Sequence, residues 1–124
     1  MSLELGFFIP PVPPELFIKM ALRAEEAGYD FITCDDHMIY PFGAPFSDDN
    51  QDYGIHEAWT AMSFLAGATR KISVSHMVLV TTFRGPGLLA KMGATLDLFS
   101  GGRMDLSVGA GWFYCSYHAF LKLS

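Results

Sequence analysis

Basic residues are scarce in this chain, and cysteine is scarcer. Eight Lys and Arg stand against 13 Asp and Glu, a formal charge of −5 over 124 residues. The basic residues are scattered, with no cluster to hold a phosphate backbone, which argues against a nucleic-acid partner. No apolar run approaches the length of a membrane span. The opening Met-Ser-Leu-Glu-Leu has no basic region before an apolar stretch, so it does not read as a secretory leader. Two cysteines, Cys34 and Cys115, form neither a Cys-x-x-Cys pair nor a disulfide framework, and a reducing cytoplasm is the expected setting. The four histidines lack metal-ligand spacing, which argues against zinc. No Gly-x-Ser-x-Gly occurs, so a serine nucleophile has no support.

What the chain does have is a large apolar fraction, 51%, with only 17% charged residues, enough for the core of one domain. Its pattern alternates between strand and helix. Leu3, Leu5, Phe7 and Ile9 predict a first strand, with Gly6 and Phe8 on its other face. Pro14 suits the first turn of a helix whose stripe is Phe17, Ile18, Ala21, Leu22 and Ala24; Arg23, Glu25 and Glu26 are expected in solvent. Gly28 stops that helix. Phe31–Cys34 predicts a second strand. The connection from Asp35 to His56 is too long for an ordinary loop and suggests a functional loop or lid. Glu57–Ala68 resumes helical spacing, and Ile72–Val80 predicts a third strand. Pro86 opens a third helix with Leu88, Leu89, Met92, Leu96 and Phe99 on one side. Gly101-Gly102 end it, and Arg103–Val108 alternates as a fourth strand.

Strands separated by helices predict an α/β fold with right-handed crossovers in a parallel sheet. Two architectures fit: half of an eight-stranded barrel, or a small doubly wound sheet. A complete barrel takes about 250 residues, so this one would stay open, with strands one and four as edges.

In either architecture a ligand gathers at the carboxyl ends of the strands. Those ends carry Ile9-Pro-Pro11, Asp35-Asp-His37, Val80-Thr-Thr-Phe-Arg84 and Gly109-Ala-Gly-Trp112. Asp36-His37 is the main catalytic candidate: an imidazole exchanges protons near neutral pH, and an adjacent carboxylate can hold its ring. The competing reading is a backbone turn set by the Asp. Arg84 suits an anionic ligand, or else an ion pair at the surface. His76 is expected in the core with a neighbour satisfying it, His56 as a helix cap, and His118 without a role. Gly109 and Gly111 let backbone approach a flat ligand, but they lack the third glycine of a dinucleotide loop.

Several segments, in this order and at these intervals, resemble the luciferase-like monooxygenase superfamily, the flavin- and F420-dependent enzymes on a TIM barrel. They are Ala24-Glu-Glu-Ala-Gly-Tyr-Asp30, Asp36-His37, Arg84-Gly-Pro86 with Leu89-Ala-Lys91, Thr95-Leu-Asp97, Ser100-Gly-Gly-Arg103 and Gly109-Ala-Gly-Trp112. The resemblance implies the N-terminal half of a TIM (β/α)8 barrel: four parallel strands and three helices over residues 1–124, ending after strand four. It implies coenzyme F420 or FMN at the carboxyl ends, with hydride transfer or oxygen activation on a small-molecule substrate. His37 matches a proton donor. Asp36, Val80, Ala110 and Gly111 match cofactor contacts, and Met77-Val78 matches a non-proline cis peptide that backs the ring. F420 is preferred through Asp36-His37. Trp112 stands where F420-dependent sugar-phosphate dehydrogenases carry an acid, which argues against that substrate class. The absent second half removes the usual phosphate-binding loops. Alternatives to an enzyme are a non-catalytic half-barrel that pairs with a copy of itself as a homo-oligomer, and a doubly wound binding module that stays monomeric.

Overall fold

The computed structural model describes residues 3–38 and 55–112. Strand β1 is Gly6–Phe8, shorter than the apolar alternation predicts, and Leu3 and Leu5 before it are exposed. Helix α1, Pro14–Ala27, has proline in its first turn and ends at Gly28 with φ 83°, where the Gly28 and Tyr29 N–H groups donate to the Glu25 and Ala24 carbonyls. Strand β2 is Phe31–Cys34, and helix α2 is Ala58–Ala68. The cap of α2 is Glu57, which accepts the Trp59 and Thr60 N–H groups at 3.2 and 2.7 Å. His56, expected in that role, instead donates from Nε2 to the Val12 carbonyl at 2.9 Å.

The third predicted strand is broken. It forms β3, Ser73–His76, and β4, Leu79–Val80, separated by a cis peptide bond between Met77 and Val78. A 3-10 turn, Thr81–Phe83, leads to helix α3, Pro86–Ser100, which ends on Gly101 at φ 74°. The fourth predicted strand pairs only in part. Met104 bridges Val74, and β5, Val108–Gly109, pairs with β4.

All of these pairings are parallel. The order is β1-β2-β3, with register Gly6↔Phe31, Ile32↔Val74 and Cys34↔His76, and β4-β5 forms a second, two-stranded sheet. The expected α/β arrangement is present, a parallel sheet with three helices. Ile32, Cys34 and Val74 turn toward the helices and join Phe17, Ala21, Met62 and Leu65 in the core. Phe31 faces the other way, and its ring lies where a side chain on Gly6 would stand, so that position needs glycine.

Helix α3 departs from its expected stripe. Leu89 is buried and Met92 and Leu96 are partly so, but Leu88 and Phe99 are 61% and 82% exposed. The cause is its position: α3 packs on α2 and meets Leu106 through Gly93, so only a narrow strip is covered.

Two charged side chains close the amino end of the sheet. Glu25 Oε1 accepts the N–H groups of Arg70, Lys71 and Ile72 at 2.7–3.1 Å, rather than lying free in solvent. Burial opposes its charge, but those N–H groups and Arg103 outweigh it and lower its pKa. The Arg103 guanidinium donates to the carbonyls of Ala66, Ile72 and Ser100 at 2.6–2.8 Å, satisfying carbonyls at the ends of both α2 and α3.

Candidate functional site

The segment after β2 carries the first acids and the histidine of the site. Cys34 and Asp36 are buried; Asp35 and His37 are half-buried. Asp36 turns under the mouth of the sheet. Its carboxylate accepts Arg84 Nη1 and Nη2 at 2.6 and 2.9 Å and the Val80 N–H at 2.9 Å. Arg84 also pairs with Glu57, so one guanidinium ties the ends of β2 and β4 to the cap of α2. The side chains of Arg84 and Asp36 are 9% and 2% exposed. Hydrogen bonding to Asp36 is the main effect that pushes the Arg84 pKa still higher. Burial opposes the charge of Glu57, but Thr60 and Arg84 hold its pKa below the usual range. Arg84 is therefore neither a surface pair nor a grip for an anionic ligand. Asp36 is bound to Arg84 and the Val80 N–H.

Above this network lies a cleft of about 340 Å³ at the carboxyl ends of the strands. All seven residues singled out in the sequence line it: Asp36 and His37 after β2, Met77 and Val78 between β3 and β4, Val80 in β4, and Ala110 and Gly111 after β5. Asp35, Phe83, Gly109 and Trp112 complete the lining. The His37 and Trp112 rings meet edge to face, centroids 5.9 Å apart and planes at 90°. A Cβ on Gly109 would come within 2.5 Å of Val78 Cγ2, so β5 needs glycine to sit against that wall. Gly111 has φ 79°, a conformation that disfavours side chains. A larger groove, about 640 Å³, lies between α2 and α3. Its only charged lining residue is Lys91, and it has no acid or imidazole, so it offers no acid–base group.

The sequence matches the luciferase-like monooxygenase family over residues 7–120. The chain belongs to that family. It is 34% identical over 101 residues to an F420-dependent glucose-6-phosphate dehydrogenase of Amycolatopsis mediterranei (strain U-32), covering 79% of this chain and 28% of the relative. It is 35% identical over 101 residues to an FMNH(2)-dependent dimethylsulfone monooxygenase of Pseudomonas putida, covering 82% of this chain and 25% of the relative. An F420-dependent secondary alcohol dehydrogenase, solved with an F420-acetone adduct, superposes with a TM-score of 0.73 at 29% identity, over 90% of this chain and 32% of that one. The chain thus spans roughly a quarter to a third of the luciferase-like proteins it matches.

The cleft suits one part of the cofactors used by such relatives. Met77, Val78, Val80 and Ala110 offer apolar wall, the glycines allow close backbone approach, and His37 offers a polar edge. That combination fits a flat heteroaromatic ring. No Lys or Arg lines the cleft among the described residues, so it does not offer a counter-charge for a phosphate tail.

Two further groups below the mouth were only partly legible in the sequence. His76 lies in the core, stacked on Trp59 with centroids 5.5 Å apart and planes at 9°. Neither ring nitrogen makes a hydrogen bond of normal geometry among the described residues, although the Ala58 backbone is near enough to favour the charged form. Burial wins and lowers its pKa to about 4, so the expected satisfied histidine is an unsatisfied neutral one. Cys34 has its thiol pushed up to about 12 by burial and by Asp35, Asp36 and Glu57, which makes it a poor nucleophile. Among the described residues no group of three His, Cys, Asp or Glu is placed to hold a metal, and no helix is long and apolar enough to cross a membrane. Cys115, His118 and most of the connection from Asp35 to His56 lie outside the described residues.

Proposed function

We propose that this chain forms the ring-binding half of an F420- or FMN-dependent oxidoreductase acting on a small organic substrate. One observation carries this reading. Residues from three strand exits, far apart in sequence, line a single cleft at the carboxyl ends of a parallel sheet. Ligands of open and closed α/β folds gather at that end. Its three helices and five strand segments, with β3 and β4 taken as one broken strand, would then be the N-terminal half of a TIM barrel.

The bound cofactor would supply hydride transfer or oxygen activation. The residues of this chain supply orientation and proton handling. Val78 and Val80 would wall one ring face, and Ala110-Gly111 would bring backbone close to another part. His37 would hold or give up a proton at an imidazole nitrogen. Trp112, seated against His37, would shield that nitrogen from bulk water. The relatives act on chemically different substrates, and Trp112 argues against a sugar phosphate here.

Fluorescence titration of the 124-residue chain with F420 and with FMN tests the reading. Saturable micromolar binding of either, weakened at least tenfold in Gly109→Leu, is the expected result. No binding of either cofactor would sink the reading for this chain.

A second reading has its own observation. Among the described residues, β1 and the 104–109 segment each leave one edge unpaired. A non-catalytic half-barrel could cover those edges with a second copy. That reading expects a homodimer by light scattering, with no cofactor bound.

A further inference from the structure

We propose that the substrate meeting this cleft is uncharged or cationic, and that the Asp36–Arg84–Glu57 network turns away carboxylates, sulfonates and phosphate esters by sealing the guanidinium at the mouth. This rests on the oxidoreductase reading for the site and names the charge class of its substrate.

A guanidinium in a strand-exit segment is well shaped to grip a carboxylate or phosphate, because its planar fork offers two parallel donors. Here the fork is already taken. Arg84 Nη1 donates to Asp36 Oδ2 at 2.6 Å and Nη2 to Asp36 Oδ1 at 2.9 Å, and Nη2 also pairs with Glu57 Oε1. The side chains of Arg84 and Asp36 are almost wholly buried. A substrate anion that drew Arg84 away would leave Asp36 under the mouth with only the Val80 N–H, at 2.9 Å, to answer its charge. Stranding a buried carboxylate costs more than a solvent-exposed ion pair returns. The grip is therefore closed to ligands.

What the network leaves at the mouth is negative. One guanidinium stands against two carboxylates, and Glu57 is ionised because its pKa is held low. Asp35, half-buried on the lining, adds a second uncompensated charge. The other described basic side chains lie elsewhere: Lys19 and Arg23 on α1, Lys91 on α3, and Arg70, Lys71 and Arg103 at the base. The sequence from 39 to 54, which joins the segment of His37 to that of Glu57, carries Asp48, Asp49 and Asp52 and no Lys or Arg. A cleft of about 340 Å³ is comparable in width to the Debye length at physiological salt, about 8 Å, so wall charges act across it with little screening. The apolar walls of Met77, Val78 and Ala110 concentrate that field. An anion entering the cleft meets repulsion, with no Lys or Arg of the described lining to offset it.

Charged relaxation probes test this on the cofactor-free chain. Amide-proton relaxation is measured at about pH 8, above the ordinary imidazole range, with two nitroxides of equal size, one bearing a trimethylammonium and one a carboxylate. The cation is expected to relax the amides of Gly109, Ala110 and Gly111 at least about threefold more strongly than the anion, a larger ratio than at Arg70, Lys71 and Ile72. The double variant Asp35→Asn, Glu57→Gln keeps acceptor oxygens at both positions and removes both uncompensated charges; its cleft ratio should fall by at least half. Benzyl alcohol and benzylammonium should shift the same three amides at lower concentration than benzoate. Equal or stronger relaxation by the anion at the cleft overturns the proposal. So does a cleft ratio that matches the base, one that survives the double variant, or benzoate acting at the lowest concentration. If the double variant does not fold, Asp35→Asn alone, at a half-buried position, must lower the ratio or the proposal falls. None of these readings needs a bound cofactor. Failed titrations with F420 and FMN would remove the oxidoreductase reading and leave this result standing, so the two failures are distinguishable.

Discussion

The two ends of the same parallel strands dispose of their charges in opposite ways. At the amino end, charged side chains are spent on backbone: Glu25 takes three N–H groups and Arg103 covers helix-end carbonyls. At the carboxyl end, they are spent mainly on one another, through Asp36, Arg84 and Glu57. The difference follows from what each end must do. At the base the turns and helix ends leave backbone N–H and carbonyl groups outside the ladders, and side chains answer them. At the mouth, charges locked together below the surface leave Met77, Val78, Ala110 and Gly111 as the exposed wall of a cleft.

The largest expected effect comes from breaking the buried network at the mouth. Arg84→Met leaves Asp36 buried with only the Val80 N–H to answer its charge. Removing one partner of a buried pair costs about 3–5 kcal/mol. Urea unfolding at pH 7 should show a loss of that size. A loss below about 1 kcal/mol would mean that the pair behaves like a solvent-exposed one, and the contrast between the two ends would fail.

A second effect concerns His76, which lies under the mouth without a hydrogen bond of normal geometry. Its folded pKa, about 4, is below the ordinary 6.5, so the unfolded chain takes up this proton first. Its contribution to stability is therefore complete above pH 6.5 and falls as pH drops toward 4, by roughly 3 kcal/mol in all. His76→Phe keeps a ring against Trp59 and removes the titration. Unfolding midpoints of that variant should be flatter across this window. If the slope matches that of the unmodified chain, acid sensitivity originates elsewhere.

The contrast also explains which parts of the molecule were readable from sequence. Helix ends were legible because Gly28 and Gly101 mark them by backbone conformation alone. Asp36, His37, Val80, Ala110 and Gly111 lie in strand-exit segments that converge on one end in a parallel α/β fold, while Met77 and Val78 came only from the family resemblance. The partners were not legible. Nothing local in Glu25-Glu26 says that one carboxylate meets the backbone at residues 70–72 while the other pairs with exposed Arg23. Arg84 reads as a grip for anions until Asp36 and Glu57 arrive from elsewhere in the chain. The smooth apolar run Ile72–Val80 hides the break at Met77-Val78, because hydrophobicity does not record backbone isomer; the family resemblance alone placed a cis peptide there. The α3 stripe failed for a related reason: periodicity shows that a face exists, but coverage depends on what packs there.

The smallest expected effect lies at the base, and it tests whether the ends are independent. Glu25→Gln keeps an acceptor oxygen but removes the charge that three N–H groups share. Glu25 is half-buried and two of its three partners, Arg70 and Lys71, are exposed, so screening limits the loss to about 1 kcal/mol. The folded pKa is lowered, so the charge stabilises the fold above the ordinary value of 4.5 and loses that effect as pH falls through the folded value. The variant and the unmodified chain should differ at pH 7 and converge in acid. Over the same range the Asp35 carboxyl should titrate identically in both, since Glu25 reaches neither the Arg84 network nor the cleft. A shifted Asp35 midpoint would show that the base and mouth communicate through the strands, and that their two ways of satisfying charge are one coupled design.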